Sequence, residues 1–186
     1  MLFRSDHSAI FGHAPRAGSI GGTVAVNAAG PRRIKAGAAR DHLLGFRAVN
    51  GFAEAFKSGG RVMKNVTGFD LSKLIAGSFG TLAVMSEVTL KVLPRAETEE
   101  TMAILGLDDA TAGAALRRAS GSPFEVSCLA HVPAGAGGPF PGVAATLLRL
   151  EGPRVSVASR EADLAALFRD FGSIDYLGED ASREAW

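Results

Sequence analysis

The chain has 186 residues, 47% of them hydrophobic and 21% charged, a soluble globular composition and not a disordered one. Its apolar runs fall short of the ~20 residues of a membrane helix, and its first residues lack an apolar core of signal-peptide length. A single cysteine, Cys128, excludes an internal disulfide and any multi-cysteine metal or cluster site, so a reducing cytoplasm is the expected setting. The net charge of +1 hides an asymmetry. Residues 1–94 carry 12 Lys and Arg against 5 Asp and Glu, residues 95–186 carry 8 against 14, and every lysine lies in the first part. That division fits two units in different surroundings, the first facing an anionic ligand or partner, or two halves that attract each other.

In chain order, the first feature is the run from Gly18 to Gly30, GSIGGTVAVNAAG. Paired glycines bare their backbone N–H groups, and a following turn of helix aims such donors at an anion. A tight loop in which Asn27 bonds its own backbone is the plainer alternative. Arg32, Arg33 and Lys35 follow as a basic cluster, either an anion trap or a solvated loop. Leu43 to Val49 and Phe52 to Phe56 read as strands around Asn50-Gly51, the signal of a two-residue type I′ hairpin. Asp70 is the candidate N-cap of a helix running to about Ala76, with Leu71, Leu74 and Ile75 as its apolar stripe and Gly77 as its terminator. A glycine-rich bend, Gly77-Ser78-Phe79-Gly80, leads into a strand over Leu82–Leu93. There Val84, Ser86, Val88, Leu90 and Val92 alternate with Met85, Glu87, Thr89 and Lys91.

A boundary is expected at Leu93-Pro94. Beyond it the order is β-α-β-β-α-β: a strand over Thr101–Leu107 and a helix capped by Asp108 with Ala112, Ala115, Leu116 and Ala119 inward. Two strands follow over Glu125–Val132 and Val143–Leu150, split by the Gly/Pro-rich loop Ala134–Gly142. A helix over Arg154–Phe171 carries Leu164, Leu167, Phe168 and Phe171 on one stripe, and a strand over Ser173–Leu177 precedes a helix starting at Glu179. This is the order of a ferredoxin-like split βαβ unit. No catalytic set emerges. His7, His13, His42 and His131 are scattered without metal-ligand spacing, and Cys128 sits in an apolar run as core filler. One Trp and one Tyr, without basic–aromatic interleaving, leave nucleic-acid binding without a signature.

Taken together, three segments resemble the PCMH-type (vanillyl-alcohol oxidase type) FAD-binding domain of D-lactate dehydrogenases and glycolate oxidases. They are Ser19-Ile20-Gly21-Gly22-Thr23-Val24-Ala25-Val26-Asn27-Ala28-Ala29-Gly30, Asp70-Leu71-Ser72-Lys73-Leu74 through Gly77-Ser78-Phe79-Gly80-Thr81-Leu82, and Ser86-Glu87-Val88-Thr89-Leu90-Lys91-Val92. The wording of Gly30–Ile34, Ala39–Gly45 and Val62–Asp70 is similar to the E-subunit family of bacterial glycolate oxidases. The resemblance implies an α+β fold. Residues 1–94 would be the second half of a PCMH-type FAD-binding domain, whose upstream phosphate-loop subdomain is missing. Residues 95–186 would be a ferredoxin-like β-α-β-β-α-β cap region cut at its C-terminus. It implies FAD as cofactor, weakly held or lost in such a fragment, with Ser19, Gly21, Gly22, Thr23, Asn27, Gly77, Ser78, Gly80 and the backbone at Val84 and Met85 as contacts. Met85 stands where the family has Ile or Val. It further implies an oxidoreductase subunit of a glycolate or 2-hydroxy-acid oxidase. The partners would be a sister flavoprotein subunit and an iron–sulfur subunit, with attachment to the inner membrane through them and self-association of exposed apolar surface. A non-catalytic assembly subunit that keeps the flavin-domain shape is the alternative.

Overall fold

A computed structural model describes residues 18–62 and 68–186. His7, His13 and the Met63–Thr67 part of the Val62–Asp70 stretch lie outside the described residues. The chain divides into two compact units. One takes in the described residues up to Gly30 together with Gly37–Leu93; the other takes in Pro31–Ala36 and Pro94–Trp186.

The first unit begins with α1 (Ile20–Ala25), capped by Ser19, whose Oγ accepts the Gly22 N–H at 3.0 Å. The short helix α2 (Arg33–Ala36) goes with the second unit. Next come α3 (Ala39–His42), β1 (Leu43–Asn50), β2 (Ala55–Gly59), α4 (Leu71–Ile75) and β3 (Ala83–Leu90). The three strands form an antiparallel sheet in the order β2-β1-β3. Its core gathers Val24, Leu43, Phe46, Ile75 and Ala83, with Phe56, Met85, Val88 and Leu90 packed against them. Asp70 caps α4 as its sequence position predicts, accepting the Lys73 N–H. Ile75 is buried, but Leu74 of the expected stripe is exposed.

Two expectations for this sheet are corrected. The Asn50-Gly51 signal does not make a two-residue turn. Asn50 Oδ1 accepts the N–H groups of Phe52 and Glu54, and Asn50 O accepts that of Ala53. This closes a longer loop in which Ala53, not glycine, takes the left-handed conformation (φ 62°). The second strand therefore starts at Ala55 rather than Phe52. In β3 the simple alternation is interrupted. Arg47 pairs with Glu87 and Ala48 with Met85, so Ser86 is an extra residue, a bulge. The bulge swaps faces: Met85 joins Val88 and Leu90 on the core side, and Val84 turns out to 72% exposure. Gly59 is obligatory where β2 ends, because at φ 73° its added Cβ would lie 2.1 Å from Leu44 O.

The second unit continues with β4 (Thr98–Leu105), α5 (Asp109–Ser120), β5 (Cys128–Val132), β6 (Ala145–Gly152), α6 (Arg154–Phe168), β7 (Ser173–Leu177) and α7 (Glu179–Ala185). The antiparallel sheet runs β5-β6-β4-β7, which in the unit's own strand numbering is 2-3-1-4, the ferredoxin-like arrangement. Strand alternation sends Met102, Ile104, Leu148 and Leu150 to one face, where Ala112, Ala115 and Ala119 of α5 and Val157, Leu164 and Phe168 of α6 cover them. Ala103, Ala145 and Leu147 fill the other face, packed with Phe140 and Trp186. Thr101 Oγ1 meets Ser182 Oγ at 2.7 Å and accepts the Trp186 indole N–H at 2.9 Å, which fixes α7.

Strand limits shift by a few residues. β4 starts at Thr98 and β6 runs to Gly152, and charged residues at these ends are paired. Arg149 donates to Glu99 at 2.5 Å and lies 3.3 Å from Glu151, and Glu151 also receives Arg32 at 2.6 Å. Lys35 adds a pair with Glu125 at 3.1 Å. The basic cluster of the sequence is thus not an open anion trap: Arg32 and Lys35 neutralise carboxylates of their own unit. β5 starts late, at Cys128, because Glu125 sits in the left-handed region (φ 50°).

Candidate functional site

Both glycine segments of the sequence fall in the first unit, and the fold brings them together. The bend after α4 reaches the end of α1 through two backbone hydrogen bonds, from Gly77 N to Val24 O (3.2 Å) and from Phe79 N to Ala25 O (2.8 Å). Gly77 needs its φ of 90° to make this turn, and a Cβ there would touch Asn27 Cβ at 3.4 Å. On the other side of α1, a Cβ on Gly21 would lie 3.9 Å from Met85 O, so the helix lies close along the β3 backbone. Ser19, Gly21, Gly22, Thr23, Asn27, Gly77, Ser78, Gly80 and Met85 therefore occupy one neighbourhood, with Val84 pointing outward beside Met85.

The detail differs from an open glycine loop. Gly21 and Gly22 lie inside the first turn of α1, and the Gly22 N–H is already taken by Ser19 Oγ. Thr23 Oγ1 is likewise engaged, donating to Ser19 O at 3.2 Å. Asn27 is left-handed (φ 50°), and its Oδ1 accepts the Arg40 N–H at 2.9 Å, so it ties α1 to α3 rather than bonding its own backbone. What remains for a ligand is the outer rim. Ser78 Oγ is buried without a hydrogen-bond partner, an orphan that asks for a donor or acceptor from outside. At Gly80 (φ 75°) a Cβ would meet nothing within 4 Å. Phe79 (72% exposed), Leu82 and Val84 add apolar surface around it. Bare backbone, an unsatisfied hydroxyl and flat apolar surface fit a large planar cofactor with a polar tail. Phe79 was not among the residues the motifs pointed to; an aromatic between two glycines was its only sequence signal.

The remaining candidates are structural. His42 is buried, with Nδ1 3.2 Å from Lys91 O. His131 is held between Thr146 Oγ1 (2.9 Å) and Asp109 Oδ1 (3.3 Å). Cys128 is buried, and burial pushes its thiol up to about 11, so it stays protonated and unreactive at neutral pH. Among the described residues no three His, Cys, Asp or Glu side chains gather as a metal-holding group, and no helix is long and apolar enough to cross a membrane. A cavity of about 240 Å³ opens elsewhere in the first unit, lined in part by Ser58, Phe69, Asp70, Lys73 and Lys91. It contains none of the candidate cofactor contacts, and two of its charged groups serve the fold: Asp70 caps α4 and Lys73 Nζ donates to Arg40 O.

Comparison with solved structures places the fold. The chain is similar to alkyldihydroxyacetonephosphate synthase in two crystal forms. The TM-scores are 0.65 and 0.64 at 20% and 19% identity, over 85% and 89% of this chain and 33% and 35% of that enzyme. The protein is accordingly a mixed α/β chain of antiparallel sheets sharing the fold of part of that enzyme.

Sequence relatives are more specific. The chain is 52% identical over 75 residues to glycolate oxidase subunit GlcE of Escherichia coli, covering 40% of this chain and 21% of the relative. It is 49% identical over 77 residues to an uncharacterised FAD-linked oxidoreductase of Mycobacterium tuberculosis (41% and 17%). It is 37% identical over 87 residues to glycolate oxidase subunit GlcD of Bacillus subtilis (47% and 18%). The resemblance carried by the motifs is therefore confirmed as one to glycolate oxidase subunits and FAD-linked oxidoreductases. The chain spans about a fifth of the length of these curated relatives. No family model matches it.

Proposed function

We propose that this chain is an FAD-binding part of a subunit of a glycolate or other 2-hydroxy-acid oxidase or dehydrogenase. Residues 1–94 contribute the second half of a PCMH-type flavin domain, and residues 95–186 a ferredoxin-like cap region. The observation that carries the reading is the joining of the two glycine segments, distant in sequence, by the Gly77–Val24 and Phe79–Ala25 backbone bonds into one rim with an unsatisfied Ser78 hydroxyl.

Each residue has a task in this reading. Ser19 and Thr23 hold the first turn of α1 in shape, so Gly21 and Gly22 present backbone without side-chain cover. Asn27 braces that turn against α3. Gly77 and Gly80 let the bend pass close to the ligand, Ser78 supplies the hydroxyl, and Met85 and Val84 form the strand side of the rim. When bound, the flavin supplies the hydride and electron chemistry, and the protein supplies binding and orientation.

A sister flavoprotein subunit and an iron–sulfur subunit complete the proposed complex. They would take the electrons onward and hold it at the inner face of the membrane, while the exposed apolar rim favours self-association in their absence. No observation favours the non-catalytic assembly role. The test is flavin absorbance at ~450 nm, the cofactor's own band, of the full-length protein after mixing with excess FAD and desalting. Retained yellow colour supports the reading, and colourless full-length protein overturns it.

A further inference from the structure

We propose that Phe79 is a ring-stacking residue whose aromatic face packs on the planar ring system of the bound flavin nucleotide. This rests on the flavin reading above and names the side chain that grips the ligand where that reading relies on backbone.

Phe79 combines two costs that stability alone does not explain. It adopts a left-handed backbone conformation (φ 55°), unfavourable for a residue with a Cβ and especially for a bulky one, at a bend whose neighbours Gly77 and Gly80 take positive φ freely. It also leaves its ring 72% exposed to solvent, while the Phe46 and Phe56 rings of the same unit pack edge to face at 5.6 Å. Strain of this kind persists only where the surroundings over-determine it. Here they do: the Phe79 N–H donates to Ala25 O at 2.8 Å, and Thr81 Oγ1 and N both donate to Ser78 O, at 2.6 and 3.0 Å. The bend is a rigid mount that holds an aromatic ring outward.

The surroundings say what the ring faces. Leu82 (49% exposed) and Val84 (72% exposed) continue the apolar surface along the chain, and Val26 (47% exposed) follows the residue that accepts the Phe79 N–H. At the next residue, Gly80, a Cβ would meet nothing within 4 Å. The buried, unpartnered Ser78 Oγ supplies a polar group next to the ring in sequence. A flat heteroaromatic ligand, with a π-face for the ring and polar edges for a hydroxyl, meets both demands at once.

The test uses the full-length protein and two substitutions. Phe79→Gly removes both ring and strain. The melting temperature without flavin is expected to hold or rise, while the Kd for FAD rises by roughly tenfold or more, the range of a lost stacking contact. Phe79→Trp keeps a stacking face, so affinity stays within about threefold, and fluorescence of the bound flavin is quenched relative to the unsubstituted protein. Unchanged FAD affinity in Phe79→Gly, or unquenched bound flavin in Phe79→Trp, overturns the inference and leaves the flavin reading standing. Phe79→Gly that keeps FAD but no longer co-purifies with a sister subunit assigns the ring to protein docking and also overturns it. An unsubstituted protein that does not hold FAD overturns the flavin reading and this inference with it.

Discussion

The two units treat their surfaces differently. The second covers both faces of its sheet, with α5 and α6 on one side and α7, Phe140 and Trp186 on the other, and pairs the charges it buries. Among the described residues, the first covers its sheet with three short helices and leaves Phe79, Leu82, Val84 and Phe69 exposed. Apolar surface left in water forgoes the stabilisation that burial brings, ~25 cal/mol per Å². In the first unit that stabilisation is forgone at the bend after α4, where a left-handed conformation also falls on the exposed Phe79 ring.

The comparison can be broken at several points, from large effects to small. Gly59→Val in the first unit puts a side chain onto Leu44 O and into a positive φ. The loss, on the order of 4 kcal/mol or more, is expected to unfold that unit while the second retains a separate thermal transition; one unchanged transition would refute it. Arg149→Ala in the second unit removes the partner that Glu99 and Glu151 share, while Arg183 stays 3.5 Å from Glu99 and Arg32 2.6 Å from Glu151. Chemical denaturation should record a loss of about 1.5–3 kcal/mol, and a loss under about 1 kcal/mol, as for an exposed pair, would show that the network is ornamental to stability. Gly22→Val sharpens the contrast, because its cost falls on function. The added Cβ lies 3.2 Å from Ser19 Oγ, so the melting temperature drops only slightly, while FAD retention by the full-length protein is abolished; full retention would take the α1 turn out of the site.

Two smaller effects probe the closed unit. Cys128, with its thiol pushed up to about 11 by burial, should resist a thiol reagent at neutral pH until the unit is denatured, and prompt labelling of native protein would contradict the packing. Glu161 has its carboxyl raised, first by burial and then by the Glu100 charge. A raised folded-state value means the stability it confers is complete below the unfolded carboxylate range and is lost as pH rises through the folded value. Glu161→Gln should therefore raise the melting temperature slightly at neutral pH and leave it unchanged in acid. A gain that persists in acid would mean the effect is not the charge.

Sequence reasoning reads the closed unit well. Helical stripes place Ala112, Ala115, Ala119, Leu164 and Phe168 on the buried face, where they are found, because the helical period has one buried face to satisfy. It missed the ends of β4 and β6, since Glu99, Arg149 and Glu151 look solvent-bound until their pairing is known. In the open unit it identifies the glycine segments and the Asp70 cap. It does not foresee that Gly22 N is consumed by Ser19, that Ser86 bulges and turns Val84 outward, or that Asn50 closes its loop with Ala53 left-handed.

The sequence by itself determined the order of elements in the second unit, the Asp70 and Asp108 caps and the likeness to FAD-linked oxidoreductases, all of which are local patterns a short stretch of chain can carry. Only the tertiary structure decided that the bend at Gly77–Gly80 bonds the end of α1, that Arg32 and Lys35 neutralise Glu151 and Glu125, and that Phe79 faces outward on a rigid mount. Those facts depend on which distant residues meet, and hydrogen bonds and ion pairs between distant segments leave no period in the sequence to read.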